Sequence, residues 1–328
     1  MSINRRIFLS QVAMATGALG SLPTLANAAD TWPSRPVKVI SPYGAGGSND
    51  ISCRVLCEEL GQRLKQQFIV ENKPGAGTRI ANEYVARATP DGSTWLYAAA
   101  PFAVAEALYG HLSYDPRKDL KAVTLTAVLP VFLIVNADSP FKSVDDLLKY
   151  GRGKAEGLTF ATPGSGSGPH LTGELFFREA KVKGLSVHFR GDATAYTELL
   201  AGRVDATLTA ISTALPHIKA GKLRVLAVAS EERSAIFPDA PTFVASGYKQ
   251  IVGYGWFGFM APAAQPAPIV ERMSSEVNAI LQTPSTRDRL IALGAEPKGG
   301  TPQQFADFIA AETAKWGAVI KAANIKAE

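Results

Sequence analysis

Two stretches of this 328-residue chain concentrate backbone amides: SPYGAGGSND (Ser41 to Asp50) and ATPGSGSGPH (Ala161 to His170). Each follows a short apolar run and precedes a segment with helical periodicity. Glycines let backbone N–H groups turn toward a common point, and a following helix N-terminus adds partial positive charge. Such a loop favours an anion. Gly44 and Gly164 are 164 − 44 = 120 residues apart, a weak internal repeat. Two such loops facing across a cleft would hold an anion from both sides.

The standard glycine motifs fail in turn. G-x-G-x-x-G breaks at Asn49 in the first loop, at Ile80 after Gly75, and at Pro169 in the second loop. A phosphate-binding P-loop is absent, because Gly153-Lys154 precedes Ala155 and Gly221-Lys222 precedes Leu223. G-x-S-x-G fails at Gly166. The histidines are His111, His170, His188 and His217, and none sits in H-E-x-x-H. His170 and Glu174 lie one helical turn apart, a spacing able to seat a metal. The preferred reading is that His170 caps its loop or bonds a ligand, and that Glu174 is solvated or caps a neighbour. Cys53 and Cys57, four apart on one helix face, suit two small buried residues better than a disulfide or a zinc site. No activated nucleophile is visible, so neither catalytic residues nor a metal or cofactor are expected.

The elements that must position these loops alternate. VKVI (37–40), QFIVEN and STWLYAA read as strands, and helices are expected over about Asp50 to Gln67 and in RIANEYVARA. The first helix presents Ile51, Val55, Leu60 and Leu64 on one face. After SYDPRKDL, the run KAVTLTAVLPVFLIVNADSP is too long for an ordinary strand. It reads as a strand leaving one domain and entering another, with Pro130 near the hinge. The pattern then restarts with SVDDLLKYGRG, LTFAT, the second glycine loop, LTGELFFREA and further alternation. A last strand, GWFGFMAP, precedes three helices near 267–281, 285–293 and 302–323. Strands alternating with helices imply an α/β fold with mainly parallel sheets covered by helices. The expected division is 29–128 plus 230–328 for domain 1 and 129–229 for domain 2.

Residues 1–28 read as an export signal: Arg5 and Arg6, an apolar middle broken by Gly17, Gly20 and Pro23, and ANA before the cleavage point after Ala28. Arg5, Arg6, Phe8 and Leu9 also fit a twin-arginine signal. Cleavage leaves 328 − 28 = 300 residues and lowers the formal charge from +5 to +3, since only Arg5 and Arg6 are lost. The remaining basic residues are scattered, which disfavours nucleic acid and anionic membrane as partners. A periplasmic, monomeric protein is expected.

From WPSRPVKVI to AANIKAE the chain resembles the Bug family, the substrate-binding proteins of tripartite tricarboxylate transporters. The resemblance rests on PYGAGGSND, VENKPGAG, VARATPDGSTWL, LSYDPRKDL, ATPGSGSGPHLTGELF, LLAGRVDA, LPHIKAGKLRVLAVAS, FGFMAPAAQPAPIV and ALGAEPKGGTPQQFADFIAAETAKWGAVIKAA, in that order. It implies a two-domain periplasmic binding fold, type II-like, with hinge strands. This fold closes around a small organic carboxylate and delivers it to membrane transporter subunits or a sensor. It also implies that the two glycine loops clasp a carboxylate, partly through water. By position these loops are Tyr43, Ala45, Gly46, Gly47, Ser48, Asn49 and Asp50, then Thr162, Gly164, Ser165, Gly166, Ser167, Gly168 and His170. Backbone amides at Ala45, Gly46, Gly47, Gly166 and Gly168 are expected to matter most. Ser48, Ser165 and Ser167 add hydroxyls, and Asp50 is read as a first-turn residue bonding loop amides.

Several positions depart from the family pattern. Arg79 follows KPGAGT where a small polar residue is usual. AAAPFAVAEAL offers Phe102 in place of hydroxyls. FRG, with Arg190, replaces Tyr-Lys-Gly. Thr209 stands where many relatives carry an acid. Arg79 is expected to border the cleft and hold a second carboxylate, and Phe102 to cover a ring or chain. The ligand expected is therefore an aromatic or aliphatic mono- or dicarboxylate with few hydroxyls. The alternative is an exported enzyme that acts on a carboxylate in the same cleft.

Overall fold

A computed structural model describes residues 32–325, apart from 165, 190, 191, 212 and 213. The proposed signal segment, 1–28, lies outside the described residues.

β1 (Val37–Ser41), β2 (Phe68–Asn72) and β3 (Thr94–Ala99) pair in parallel, with β1 in the centre. β5 (Leu158–Thr162), β6 (Gly184–His188) and β7 (Ala206–Ala210) form a second parallel set around β5. The strands that join the sets run antiparallel. They are β4 (Leu120–Asn136), β8 (Leu223–Val228), β9 (Tyr254–Pro262) and the short β10 (Glu296–Pro297). The strand order is β2-β1-β3-β9-β4-β7-β5-β6, with β8 and β10 also pairing β4.

β4 has two sets of partners along its length. Through Pro130, opposite Tyr254, it pairs with β9. From Val131, opposite Ala210, it pairs with β7, and from Phe132 with β8. The long apolar run is thus one continuous strand belonging to both halves of the sheet. Proline lacks a donor, and Pro130 falls where the ladder changes partner.

The first half is covered by α1 (Ser48–Leu64), α2 (Arg79–Ala86), α3 (Pro101–Tyr109), α8 (Ala267–Leu281), α9 (Pro284–Ala292) and α10 (Pro302–Ala322). The second half carries α4 (Val144–Gly153), α5 (Gly168–Glu179), α6 (Asp192–Leu200) and α7 (Leu215–Lys219). Local chemistry sets the ends. Ser143 caps α4 through the Asp146 amide, and Thr301 with Gln304 forms a capping box ahead of Pro302.

The buried stripe of α1 is Cys53, Leu56, Cys57 and Leu60, a regular helical spacing, and it packs under Trp95, Tyr97 and Val277. Ile51, expected on that face, is exposed instead. The cysteines are free, both buried, with their sulfurs 3.9 Å apart. A separate core in the second half gathers Val131, Leu133, Leu147, Phe160, Phe176 and Leu208. Phe243 and Ile251, which follow residue 229 in the chain, pack in it too. Among the described residues, no helix is long and apolar enough to cross a membrane, and no group of His, Cys, Asp and Glu is arranged to hold a metal ion.

Candidate functional site

A cleft of about 650 Å³ opens where β4 changes partners. Leu129 and Val131 flank the crossing at its floor. The first loop (Tyr43 to Asn49) and Ala99 to Pro101 line one side. Pro163, Ser167 to Pro169, Thr209 and Ala210 line the other, with Gly255 to Phe257 of β9.

The two glycine loops are built alike. Gly46 has φ +85° and donates its N–H to Asp50 Oδ2 at 2.9 Å. Gly166 has φ +71° and donates its N–H to His170 Nδ1 at 2.9 Å. In each case a positive-φ glycine is tied to an acceptor four residues on, in the first turn of the following helix. The amides of Gly46 and Gly166, expected to face an anion, are therefore used within their own loops.

The helix ends left for a ligand differ. α1 begins at Gly47 with no capping side chain, and its first helical bond is Ile51 N–H to Gly47 O. The first-turn amides of Ser48, Asn49 and Asp50 precede that bond and have no helical acceptor. Ser48 and Asn49 line the cleft. At α5, Ser167 Oγ accepts the His170 amide at 3.2 Å, and Pro169 has no N–H. Gly168 is the remaining first-turn amide there, at the cleft wall.

Side chains behind the loops fix this geometry. Asp50 is buried and also accepts from Arg54 Nε at 3.0 Å and Asn72 Nδ2 at 2.8 Å. Burial pushes its carboxyl up, but the Arg54, Gly46 and Asn72 hydrogen bonds outweigh this and hold its pKa below the ordinary value. Asn49 turns its side chain backward: Oδ1 accepts from Ser41 Oγ at 2.8 Å, and Nδ2 donates to Tyr97 O at 3.4 Å. Asn49 thus meets the cleft through its backbone.

Burial, and then the nearby His188, lower the His170 pKa to about 4. Neutral His170 accepts at Nδ1, which places its proton on Nε2, 3.7 Å from Glu174 Oε1. Glu174 in turn accepts from Ser186 Oγ at 2.6 Å. Thr162, at the end of β5, bonds His188 Nδ1 at 2.6 Å and lies behind the second loop. Gly164, at φ +149°, accepts from Ser167 Oγ at 2.7 Å through its carbonyl.

Of the positions expected from sequence, the structure brings Tyr43, Ala45, Gly46, Gly47, Ser48, Asn49, Ser167, Gly168 and Thr209 together around the cleft. Asp50, Thr162, Gly164, Gly166 and His170 support it from behind. Ser165 and Arg190 lie outside the described residues. Two expectations are corrected. Arg79 is not at the cleft wall: its guanidinium stacks on Tyr109, 3.8 Å from the ring centroid, and Nε donates to Ala76 O at 2.8 Å. Phe102 is only 4% exposed and packs among Ile40, Leu96, Met260 and Phe305. It lines a different cavity, of about 680 Å³, bordered by Leu120 and Ile309. In a helix starting at Pro101, position 102 turns into the core rather than back over the strand end.

Sequence reasoning missed Leu129, Val131, Gly255 and Phe257 as lining residues. Apolar strand residues at a crossing read as core.

The family model described as "Tripartite tricarboxylate transporter family receptor" matches residues 52–325. The protein BugT of Bordetella pertussis is 32% identical over 328 residues, covering 99% of this chain and 99% of that protein. Among solved structures, R. palustris Rpa4515 with adipate is 32% identical with TM-score 0.82, covering 90% of this chain and all of that one. MatC from Rhodopseudomonas palustris with bound malate is 31% identical with TM-score 0.77, covering 88% of this chain and all of that one. With its two parallel sets joined by shared strands and a glycine-loop cleft at the crossing, the chain belongs to the tripartite tricarboxylate transporter receptor family, the Bug group of periplasmic solute-binding proteins.

Proposed function

We propose that this protein is an exported, periplasmic receptor that closes around one small organic carboxylate with few hydroxyls and delivers it to membrane transporter subunits. The observation that carries this reading is the uncapped start of α1, whose Ser48 and Asn49 border the cleft opposite the capped start of α5. A carboxylate there serves as the missing cap and meets the positive end of the helix dipole. Neighbours bound to adipate and to malate support the carboxylate class. The groups near the loops with shifted pKa, Asp50 and His170, act as loop acceptors, which suits a receptor better than an enzyme.

We take the two halves of the sheet as the closing domains. The chain crosses between them at Pro130–Val131 and returns after Ile251, since Phe243 and Ile251 pack with the second core. On this reading the second domain extends to about Ile251, beyond the residue 229 expected from the sequence pattern.

Native mass spectrometry of the protein as purified, followed by a thermal-shift screen of carboxylates, tests the function. A ligand at 100 times its dissociation constant should stabilise the fold by roughly 2.7 kcal/mol. A screen in which no carboxylate raises the melting temperature, with a non-carboxylate ligand co-purifying, would overturn the reading.

A further inference from the structure

Two helices that start at opposite walls of the cleft converge beyond it. α3 starts at Pro101, on the side of the first half, and α5 starts at Gly168, on the side of the second. Further along, Val104 of α3 and Leu171 and Leu175 of α5 are buried in one apolar cluster, with Leu108 packed against it. The other buried members come from the end of α10: Trp316, Val319 and Ile320. The start of α10 belongs to the first half, since Phe305, Phe308 and Ile309 pack with Trp256 and Met260. One helix of 21 residues is thus seated on both halves. Its end is tied down by further contacts. Lys315 Nζ donates to Val252 O, on the segment where the chain returns to the first half. The next residue, Gly253, leaves room for Thr172 of α5, whose Oγ1 occupies the place a Cβ would take. Past α10, Asn324 has φ +50° and the Ile325 amide donates to Ile320 O at 3.0 Å, which turns Ile325 back onto the cluster.

From this we infer that the cluster of α3, α5 and α10 is a built-in pivot: it stays packed whether the cleft is open or closed, and α10 with Ile325 sets the rest position of the two halves. The inference rests on the reading that the halves close, and on nothing about which ligand closes them. The strand crossings at Pro130–Val131 and after Ile251 supply the residues that absorb a rotation. A helix seated on both bodies limits that rotation to axes that run through its own contact. The pivot reaches the second glycine loop, because Leu108 lies against Gly166. Halves held near one rest position lose less freedom when a ligand is bound. The cluster therefore contributes to affinity without touching the ligand.

Small-angle scattering of the ligand-free protein tests the inference, with native mass spectrometry to show that the cleft is empty. Because no ligand is added, failure here leaves the carboxylate reading standing. Leu175→Ala combined with Ile320→Ala should raise the radius of gyration above that of wild type, as the halves lose their common seat. Ile325→Asp, which changes only the turned-back residue beyond α10, should raise it too and serves where the double variant does not fold. Phe308→Ala, in the part of α10 that packs with the first half alone, should lower the melting temperature and leave the radius unchanged. Folded cluster variants with the wild-type radius overturn the inference even if they melt earlier, because the cluster is then packing and nothing more. A radius below that of wild type also overturns it, since the cluster would then be a catch that holds the cleft open.

Discussion

The backbone N–H of Gly46 meets the carboxylate of Asp50 at 2.9 Å, so the first glycine loop is held shut from inside by the helix it leads into. Gly166 and His170 repeat the arrangement 120 residues later. In both loops a positive-φ glycine spends its amide on the fold and leaves the following residues to face the cleft. The loop shape is thus set before a ligand arrives, which lowers the ordering cost of binding.

Asp50→Ala removes an acceptor shared by Gly46, Arg54 and Asn72. It should lower stability by about 1–3 kcal/mol, the cost of leaving buried donors unpaired. Urea denaturation reads this as a lower midpoint at unchanged slope. Ligand affinity should fall as well, because the α1 terminus loses its anchor. A variant with the wild-type midpoint would show that the carboxylate does not hold the loop.

Gly46→Val and Gly166→Val should differ in their effects. Both impose positive φ on a β-branched residue. At Gly46 an added Cβ meets no atom within 4 Å, so the cost there is backbone strain alone. At Gly166 it also meets Leu108 Cδ1 at 2.5 Å, from helix α3 of the other half. Binding should be lost in both, with the larger drop in melting temperature at Gly166. Equal melting temperatures would mean that Leu108 moves aside freely.

The His170 pKa, lowered to about 4 by burial and by His188, makes stability depend on pH. The unfolded chain binds a proton near pH 6.5, and the folded chain does so only near 4. Stability is therefore full above about pH 6.5 and lost progressively as pH falls toward 4, by up to about 3 kcal/mol. Protonated His170 cannot accept the Gly166 amide, so in the folded protein the second loop opens only near pH 4. Denaturation midpoints from pH 7.5 to 4.5 should slope downward in wild type and flatten in His170→Phe. A slope of equal size in that variant would assign the effect to another group.

Arg79→Ala should leave carboxylate affinity within about twofold, since the guanidinium is spent on Tyr109 and Ala76. Phe102→Ala should cost about 3–5 kcal/mol of stability, as expected for emptying a buried aromatic site. Its effect on affinity should be small once the variant is measured well below its melting temperature. A selective loss of diacid binding in Arg79→Ala would restore the two-point grip.

The parts of this molecule written in local sequence were legible. Glycine spacing marked both loops, and the position of Asp50, four residues after Gly46, already suggested an acceptor of loop amides. The run around Pro130 announced a strand too long for one set of partners. Side-chain direction was not local. Arg79 and Phe102 follow strand ends, where a sequence pattern cannot separate a cleft-facing residue from one aimed at Tyr109 or at the core. Leu129, Val131 and Phe257 carry no signal, because an apolar residue under a ligand and one under a helix have the same composition. The antiparallel strands also escaped the alternation rule, since β9 pairs with β3 across 260 − 96 = 164 residues, from Leu96 to Met260.

That long-range pairing governs the order of assembly. The strand pairings of the second half lie between Val131 and Val228, and a bridge from Val228 to Thr242 keeps it within one contiguous stretch. The first half is split: β3 and the early part of β4 share β9 as a partner, and β9 starts at Tyr254. The contiguous half has the shorter loops to close and should form first, while the flanks of β3 and β4 wait as open edges. During that interval the nascent protein carries two unprotected apolar strands, the feature that invites pairing between chains. β9 is therefore the keystone of refolding: until it docks, the protein is half built and at its most prone to self-association.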